Sequence, residues 1–89
     1  MDQAIKKRAV RRLQIVKGQV SGLEKMIARE KYCVDIITQS SAVRQALAGV
    51  EGLLLANHLA TCVEKQMKRG QSKKAVAEVL KVYRLSQRK

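Results

Sequence analysis

Apolar side chains recur at intervals of three and four residues along the first third of the chain. This spacing places them on one side of an α-helix, whereas a half-buried strand needs strict alternation. The 89 residues contain no proline, which would break long helices, and no run of strict alternation. We therefore predict an all-α fold with a first helix from about Asp2 to Arg29. Its apolar stripe consists of Leu13, Val16, Val20, Leu23 and Ile27.

The rest of the chain predicts two more helices. The charged segment REKYC lacks apolar periodicity and is expected to connect the first helix to the second. The second helix should run from about Cys33 to Lys68, and Gly70 should follow its last turn. Ser72 is the predicted N-cap of a short basic third helix, about Lys73 to Leu85. The apolar stripe of the second helix is Ile36, Val43, Leu47, Val50 and Leu54.

Length and charge narrow the range of functions. Eighty-nine residues form one domain, residues 1–89, and so short a chain buries little surface alone, so we expect a second copy to complete a helical bundle. The formal net charge of +12 suits nucleic acid or an anionic membrane surface as partner. No apolar run approaches the roughly 20 residues that span a bilayer, and no signal peptide opens the chain. We therefore expect a soluble cytoplasmic protein with free thiols.

Two cysteines and a single histidine are the candidate metal-binding residues. His58 and Cys62 are four residues apart, which places both side chains on one face of a helix. Cys33 lies 25 positions before His58, which is roughly 38 Å along a straight helix. Two geometries could unite the three residues. Either the helix breaks near Gly49 and Gly52 and folds back, or an antiparallel neighbouring chain contributes Cys33.

The donor types favour a soft metal ion. Two thiolates and one imidazole suit Cu(I), whereas zinc usually takes a fourth ligand, and Ni(II) or Co(II) take more nitrogen and oxygen donors. The chain has no second histidine for a nickel or cobalt site. A plainer interpretation also fits the spacing, in which the cysteines are small apolar core residues and the histidine is a surface or core residue. Spacing and composition leave both interpretations open.

Three segments resemble the CsoR-type copper-sensing transcriptional repressors: GQVSGLEKMI, YCVDIITQSSAVRQAL and HLATCV. The similarity extends from about residue 12 to residue 82. Cys33, His58 and Cys62 occupy, in order, the family's cysteine, histidine and cysteine positions. Without an N-terminal histidine, the chain resembles the copper branch rather than the nickel or cobalt sensors. The resemblance implies a three-helix protomer in an antiparallel four-helix-bundle dimer, usually a dimer of dimers, without a helix-turn-helix.

The resemblance also implies a mechanism. The metal-free form binds operator DNA, and Cu(I) binding at an intersubunit site of Cys33, His58 and Cys62 releases it, which derepresses copper efflux or resistance genes. Tyr32 and Glu78 match positions that surround the histidine in copper sensors. We expect one ring nitrogen of His58 to bind the ion while the other N–H bonds Glu78, with Tyr32 as a further candidate partner. The third helix is thereby drawn onto the second. Such coupling requires the ion to favour a bundle shape that DNA disfavours.

Basic residues, mainly of the first helix, are the candidate contacts to double-stranded DNA. Their charges would neutralise phosphates and give salt-dependent binding without reading bases. By resemblance, Arg12, Gln19 and Arg44 match DNA-binding positions of the family. Ile15 stands where many relatives have arginine, and Lys17 replaces a common acid. The predicted set is Lys7, Arg8, Arg11, Arg12, Lys17, Gln19 and Arg44.

Three other functions compete with the copper sensor. Cys33 and Cys62 could form a thiol switch in a persulfide- or oxidant-responsive repressor of the same fold, although such a switch needs no histidine. A basic helical bundle could also coat DNA independently of sequence, with the cysteines in its core. An enzyme is disfavoured because the sequence shows neither a glycine-rich phosphate loop nor an acidic group placed to orient a Cys–His pair.

Overall fold

The structure is a computed structural model that describes residues 1–87, and it contains no strand among them. Its elements are α1 (Gln3–Ala28), α2 (Cys33–His58), a π-helical turn (Leu59–Val63), α3 (Glu64–Lys68) and α4 (Ser72–Ser86). The second predicted helix is present as the 36-residue helix Cys33–Lys68, formed by α2, the π turn and α3. The first and third predicted helices correspond to α1 and α4. The predicted all-α fold is therefore confirmed.

Local hydrogen bonds set both ends of α1. The Asp2 carboxylate caps its start by accepting a hydrogen bond from the Ala4 N–H at 2.8 Å. At its end, the Lys31 N–H donates to the Met26 carbonyl, and the Glu30 N–H donates to the Ile27 carbonyl, both at 3.0 Å. This pair of bonds is a Schellman motif, which requires a left-handed residue at its centre. Glu30 takes that conformation, with φ of 51°.

Residues 1–55 form the first of two compact units. Four residues connect α1 to α2, and so short a connection makes the two helices antiparallel neighbours. The side chain of Arg12 joins them, because its Nη1 donates to the Gly49 carbonyl at 3.3 Å. The buried apolar residues of this unit are Ala9 and Val16 of α1 and Val43 and Val50 of α2.

Gly49 and Gly52 do not break the helix. Both lie inside α2, so the sequence-based alternative of a helix that folds back at these glycines is wrong. A Cβ built at Gly49 would meet Arg12 Nη1 at 3.9 Å, an ordinary van der Waals distance, and one built at Gly52 would meet nothing within 4 Å. The helix tolerates both glycines because each is unfavourable by only about 1 kcal/mol.

Only part of the predicted apolar stripes is covered within one chain. On α1, Val16 is buried, but Leu13 is 45% exposed and Ile27 is 61% exposed. On α2, Val43 and Val50 are buried, whereas Leu47 is 40% exposed. The periodicity correctly predicts helices, but each stripe is only partly buried within the chain.

The second unit begins at Ala56. Gly70 follows the last turn of α3 with φ of 73°, as predicted, and the Gln71 N–H donates to the Gln66 carbonyl at 2.7 Å. The predicted N-cap, Ser72, is wrong by one residue. Gln71 precedes α4, its side chain makes no capping hydrogen bond, and its carbonyl accepts from the Ala75 N–H. Ala75 is the most buried residue of α4, at 2% exposure.

The helix Cys33–Lys68 corrects the expectation that no segment approaches the length and apolar character needed to span a bilayer. Among the described residues it alone is long and apolar enough to span a membrane, judged by length and composition. Core helices of soluble proteins meet the same criteria. Charged residues such as Arg44 and Glu51 interrupt its apolar runs, but the helix as a whole still qualifies.

Candidate metal centre

His58 and Glu78 lie together in the second unit. His58 is the last residue of α2, and Glu78 is in the middle of α4. His58 Nε2 is 3.4 Å from Glu78 Oε2, and the two side chains are 31% and 38% exposed. The sequence predicted this neighbourhood, and the structure brings the two residues together.

This contact distinguishes the two ring nitrogens of His58. A neutral imidazole carries one N–H, and a carboxylate beside Nε2 favours the proton on that nitrogen. Nδ1 then keeps its lone pair and is the nitrogen available to a metal ion. In many metal sites a ligand histidine is oriented by donating its other N–H to a carboxylate, and the 3.4 Å contact places Glu78 on the side of the ring where such a bond would form.

Gln66 contacts the same carboxylate, and sequence reasoning missed it. Its Nε2 donates to Glu78 Oε2 at 3.2 Å, while its Oε1 is buried and has no hydrogen-bond partner among the described residues. The available signal was its spacing, since Gln66 follows Cys62 by four residues and His58 by eight. One carboxylate oxygen therefore contacts groups from two places on the preceding helix.

Cys62 lies in the π turn, which begins at the residue after His58. A π turn contains more than four residues, because each N–H bonds a carbonyl five positions earlier. The winding between His58 and Cys62 is therefore π-helical where the sequence predicted an α-helix, and four residues fall slightly short of a full turn. The Cys62 side chain is exposed, and Thr61 Oγ1 lies 3.6 Å from its sulfur while donating to the Asn57 carbonyl at 2.8 Å.

Cys33 is the first residue of α2 and is also exposed. Tyr32 precedes it with a 70% exposed side chain, and the Tyr32 carbonyl accepts from the N–H groups of Asp35 and Ile36. Within residues 1–87 of one chain, no group of three or more His, Cys, Asp or Glu side chains is placed to hold a metal ion. If His58 and Cys62 are ligands, a three-donor site needs a donor from elsewhere.

The predicted DNA contacts occupy several sides of α1. This helix carries seven lysines and arginines against one acid, Glu24. At about 100° per residue, Lys7 and Arg11 share one face, and Arg8 and Arg12 share a second about 100° away. The exposed members of the predicted set are Lys7, Arg8, Arg11, Arg12, Lys17 and Arg44.

Two residues predicted to contact DNA are partly occupied or enclosed within the chain itself. Arg12 uses one N–H on the Gly49 carbonyl, which leaves four others free to donate. Gln19 is half-buried, and its Oε1 is enclosed without a hydrogen-bond partner among the described residues. Its carbonyl oxygen is therefore not presented at the surface of a single chain.

A family model described as metal-sensitive transcriptional repressor matches residues 5–84. The chain belongs to this family. The match covers α1, α2, the π turn, α3 and nearly all of α4, so it includes every predicted metal and DNA contact. The predicted resemblance is confirmed, and the family is described as one of metal-sensitive repressors.

Curated members of the repressor family share substantial identity with the chain. The copper-sensing transcriptional repressor CsoR of Bacillus subtilis is 40% identical over 73 residues, which are 82% of this chain and 72% of that protein. The copper-sensing transcriptional repressor RicR of Mycobacterium tuberculosis is 47% identical over 60 residues, 67% of this chain. The chain spans 62% of the length of RicR, slightly less than two thirds.

A solved structure of the repressor family superimposes closely. The copper-sensing repressor CsoR with Cu(I), from Geobacillus thermodenitrificans NG80-2, matches with a TM-score of 0.89 and 31% identity. The match covers 99% of this chain and 92% of that one. Similarity in both sequence and structure therefore extends over the whole helical chain.

Proposed function

We propose that this repressor responds to Cu(I). Its metal-free form binds double-stranded operator DNA, and Cu(I) binding releases the DNA and derepresses genes for copper efflux or resistance. The copper-sensing relatives and the Cu(I)-bound structural neighbour support this function. The observation that carries it is the 3.4 Å contact between His58 Nε2 and Glu78, which leaves Nδ1 available, and a free thiol follows four residues later at Cys62.

We place the metal site between two protomers. Cys33 of one protomer joins His58 and Cys62 of another, which gives two thiolates and one imidazole, a soft set suited to Cu(I). The exposed cysteines support this placement, as does the lack of a three-donor group within residues 1–87 of one chain. The exposed apolar edges of α1 and α2 supply the surface for a homodimer, which pairs into a homotetramer in the cytoplasm.

The response passes through the His58–Glu78 contact. Cu(I) would supply a centre that joins the three soft donors. With Nδ1 committed there, His58 holds its proton on Nε2 and donates it to Glu78, which fixes α4 relative to the ligands. DNA is released because the conformation with α4 fixed binds DNA less tightly than the free one. Tyr32, adjacent to Cys33, is the candidate for a further contact to this pair.

The DNA-binding surface consists of the predicted basic set on α1, with Arg44 and Gln19. Their side chains contact phosphates and position the protein, so affinity should fall steeply with salt. The net charge of +12 supports this assignment, because it far exceeds what solubility requires.

The first experiment is an anaerobic titration of the reduced protein with Cu(I) against a competing chelator, followed by thiolate-to-copper absorbance. We expect uptake of about one ion per chain, lost in Cys33→Ala and kept in Gln87→Ala, an exposed control at the end of α4. The same samples are then tested for binding to operator DNA. Weak uptake, or uptake indifferent to Cys33, would contradict the copper sensor.

Glu78→Ala tests the coupling separately from the site. All three proposed ligands remain, so Cu(I) uptake should persist, with an affinity that falls by no more than about a hundredfold. Release of DNA by Cu(I) should be largely lost, as measured by fluorescence anisotropy with and without the ion. Unchanged copper affinity together with unchanged release would refute the role of Glu78.

A thiol-responsive repressor is the second candidate, favoured by the exposure of both free cysteines. It predicts that persulfide or oxidant releases DNA from wild type and from His58→Ala, but not from Cys33→Ala or Cys62→Ala. The copper sensor predicts that His58→Ala impairs the response to Cu(I). A sequence-independent DNA-coating protein would respond to neither.

A further inference from the structure

Gln66 contacts the carboxylate on which the proposed copper response depends. Its Nε2 donates to Glu78 Oε2 at 3.2 Å, and the same oxygen lies 3.4 Å from His58 Nε2. The two contacts share one oxygen, so they depend on each other. If the Glu78 side chain turned away, it would lose its contacts to both Gln66 and His58.

Within the described part of the chain, Glu78 has few partners that could hold its side chain in place. Its side chain is 38% exposed, so water competes for the carboxylate. The distance to His58 exceeds the usual 2.7–3.2 Å of an N–H···O hydrogen bond, whereas the distance to Gln66 reaches its upper end. The amide of Gln66 is therefore the closer of the two contacts to Glu78 Oε2 in the single chain.

The orientation of the Gln66 amide is fixed by the same carboxylate. Its Oε1 is buried without a partner among residues 1–87. Turning the amide over would place this oxygen against Glu78 Oε2, two acceptors in contact. The amide keeps its donor on Glu78 although its other end stays unpaired.

We propose that Gln66 is a positioning residue for the metal response. It holds Glu78 against His58 Nε2, so that His58 carries its proton there and presents Nδ1 to an ion. The inference rests on the proposed function, since it concerns how that function's ligand histidine is oriented. Loss of the amide should leave the three ligands intact and weaken the link between His58 and α4.

Two substitutions test this role. Gln66→Leu removes the amide without adding charge, and Gln66→Glu keeps the shape but sets a second carboxylate against Glu78. Gln87→Leu, at an exposed position, is the matched control. Circular dichroism establishes folding first, and Gln66→Glu decides the question if Gln66→Leu does not fold.

Three quantities are measured in each variant. They are the Cu(I) affinity by chelator competition, the operator affinity with and without Cu(I), and the tautomer of His58 in metal-free protein by ¹⁵N–¹H NMR. Because His58 is the only histidine in the sequence, its imidazole signals need no assignment. A purely structural role for Gln66 would not change the tautomer.

We expect wild type and Gln87→Leu to hold the proton mainly on Nε2, and both Gln66 variants to show a mixture of tautomers. Cu(I) affinity should fall by less than about tenfold, while the Cu(I)-driven loss of DNA affinity should shrink by about tenfold or more. Wild-type tautomers with a wild-type copper response in both variants would overturn the inference.

The readouts separate this inference from the proposed function. If the wild type keeps its DNA when Cu(I) is added, the proposed function fails, and the tautomer comparison in metal-free protein still decides whether Gln66 positions Glu78. If the wild type responds but the variants keep its tautomer and its response, the proposed function stands and the inference about Gln66 fails.

Discussion

At Glu30 the backbone adopts a conformation that suits glycine. It is the one non-glycine residue with positive φ among residues 1–87, and it occupies the same Schellman position after α1 that Gly70 occupies after α3. The left-handed conformation is unfavourable for a residue with a Cβ by about 1–2 kcal/mol, and glycine avoids that penalty. The chain thus has a glycine, which suits the left-handed conformation, in the turn after α3, and a glutamate, which does not, in the equivalent turn after α1.

Glu30→Gly should therefore stabilise the protein. Relief of the left-handed conformation should raise the free energy of unfolding by about 1 kcal/mol. The greater flexibility of glycine in the unfolded chain offsets part of this gain. Urea denaturation at fixed protein concentration measures the change. Glu24→Gly, at an exposed position inside α1, is the control and should lower stability by about 1 kcal/mol. A loss of stability in Glu30→Gly would show that its carboxylate makes a compensating interaction.

Arg11 offers a test of the basic surface. It is exposed on the face of α1 opposite the buried Ala9 and Val16. If it contacts one phosphate, Arg11→Ala should weaken binding to all DNA sequences alike and reduce the slope of log affinity against log salt by about 1. Lys65→Ala, exposed in α3 and outside the predicted set, should leave the slope unchanged. Equal slopes in both variants would remove Arg11 from the interface.

The metal-site residues were accessible from sequence to different degrees. Cysteine and histidine are rare here and chemically distinctive, so Cys33, His58 and Cys62 could be named as candidate ligands. Glu78 could be named by resemblance. Gln66 could not, because a glutamine on a helix is ordinary and its role depends on a 3.2 Å contact to α4 that no local pattern encodes.

Among the elements, the π turn is the departure from regular winding. Because a π turn holds an extra residue, the residues before it and those after it do not follow one continuous α-helical register, and the candidate ligand Cys62 lies inside this turn. Isolated π turns inside α-helices occur frequently at functional sites. Deleting one of its five residues would restore α-helical winding while leaving α3 and α4 in their own register.

Deletion of Ala60 should separate folding from metal binding. We expect the helical circular dichroism signal to be retained, because a regular α-turn replaces the π turn. Cu(I) affinity should fall by about tenfold or more, since Cys62 then follows His58 by three residues. Ala60→Ser preserves the length and should bind Cu(I) as wild type does. Equal affinity in the deletion variant would show that the site does not need the π turn.

Helix bounds were predicted more accurately than helix winding. The predicted ends of the first two helices lie within one residue of those of α1 and of the helix Cys33–Lys68. Turn residues such as Gly70 mark these ends because they need special backbone angles. The π turn LATCV contains no such marker, since each of its residues also fits an α-helix. Ser72 misled because serine favours N-caps generally, whereas Gln71 precedes α4 here.

For the whole molecule, the exposed apolar surface supports the proposal that a second copy completes the structure. A long series of large apolar residues remains open on α1, α2 and α4. Monomeric proteins rarely leave large apolar patches in water, so we expect a second copy to cover many of these residues. The exposed members include Val10, Leu13, Ile15, Val20, Ile27, Val34, Ile37, Leu47, Val76, Leu80 and Tyr83.

Sedimentation velocity should therefore show a dimer or tetramer. Val20→Glu, on the uncovered edge of α1, should shift the distribution toward monomer and lower the melting temperature measured at the same protein concentration. Ser21→Glu adds the same charge at an exposed polar position and should leave the assembly unchanged. A monomeric wild type would remove the basis for an intersubunit site.

The sequence could not assign these apolar residues to the inside of one chain or to the contact between chains. A spacing of three and four is the same whether α1 packs on its own α2 or on a second copy. The structure resolves part of this, since Val16 is buried within the chain while Leu13 and Val20 are left open.

The turn between α3 and α4 also constrains how the length of related chains can vary. The Gln66 carbonyl accepts from Gln71 to close that turn, and the Gln66 side chain donates to Glu78 in the next helix. One inserted or deleted residue between Lys68 and Ser72 would rotate Glu78 about 100° around α4, away from His58. Surface turns normally accept insertions and deletions readily. Repressors that keep the His58–Glu78 contact should show a fixed turn length here, even where the loop residues themselves differ.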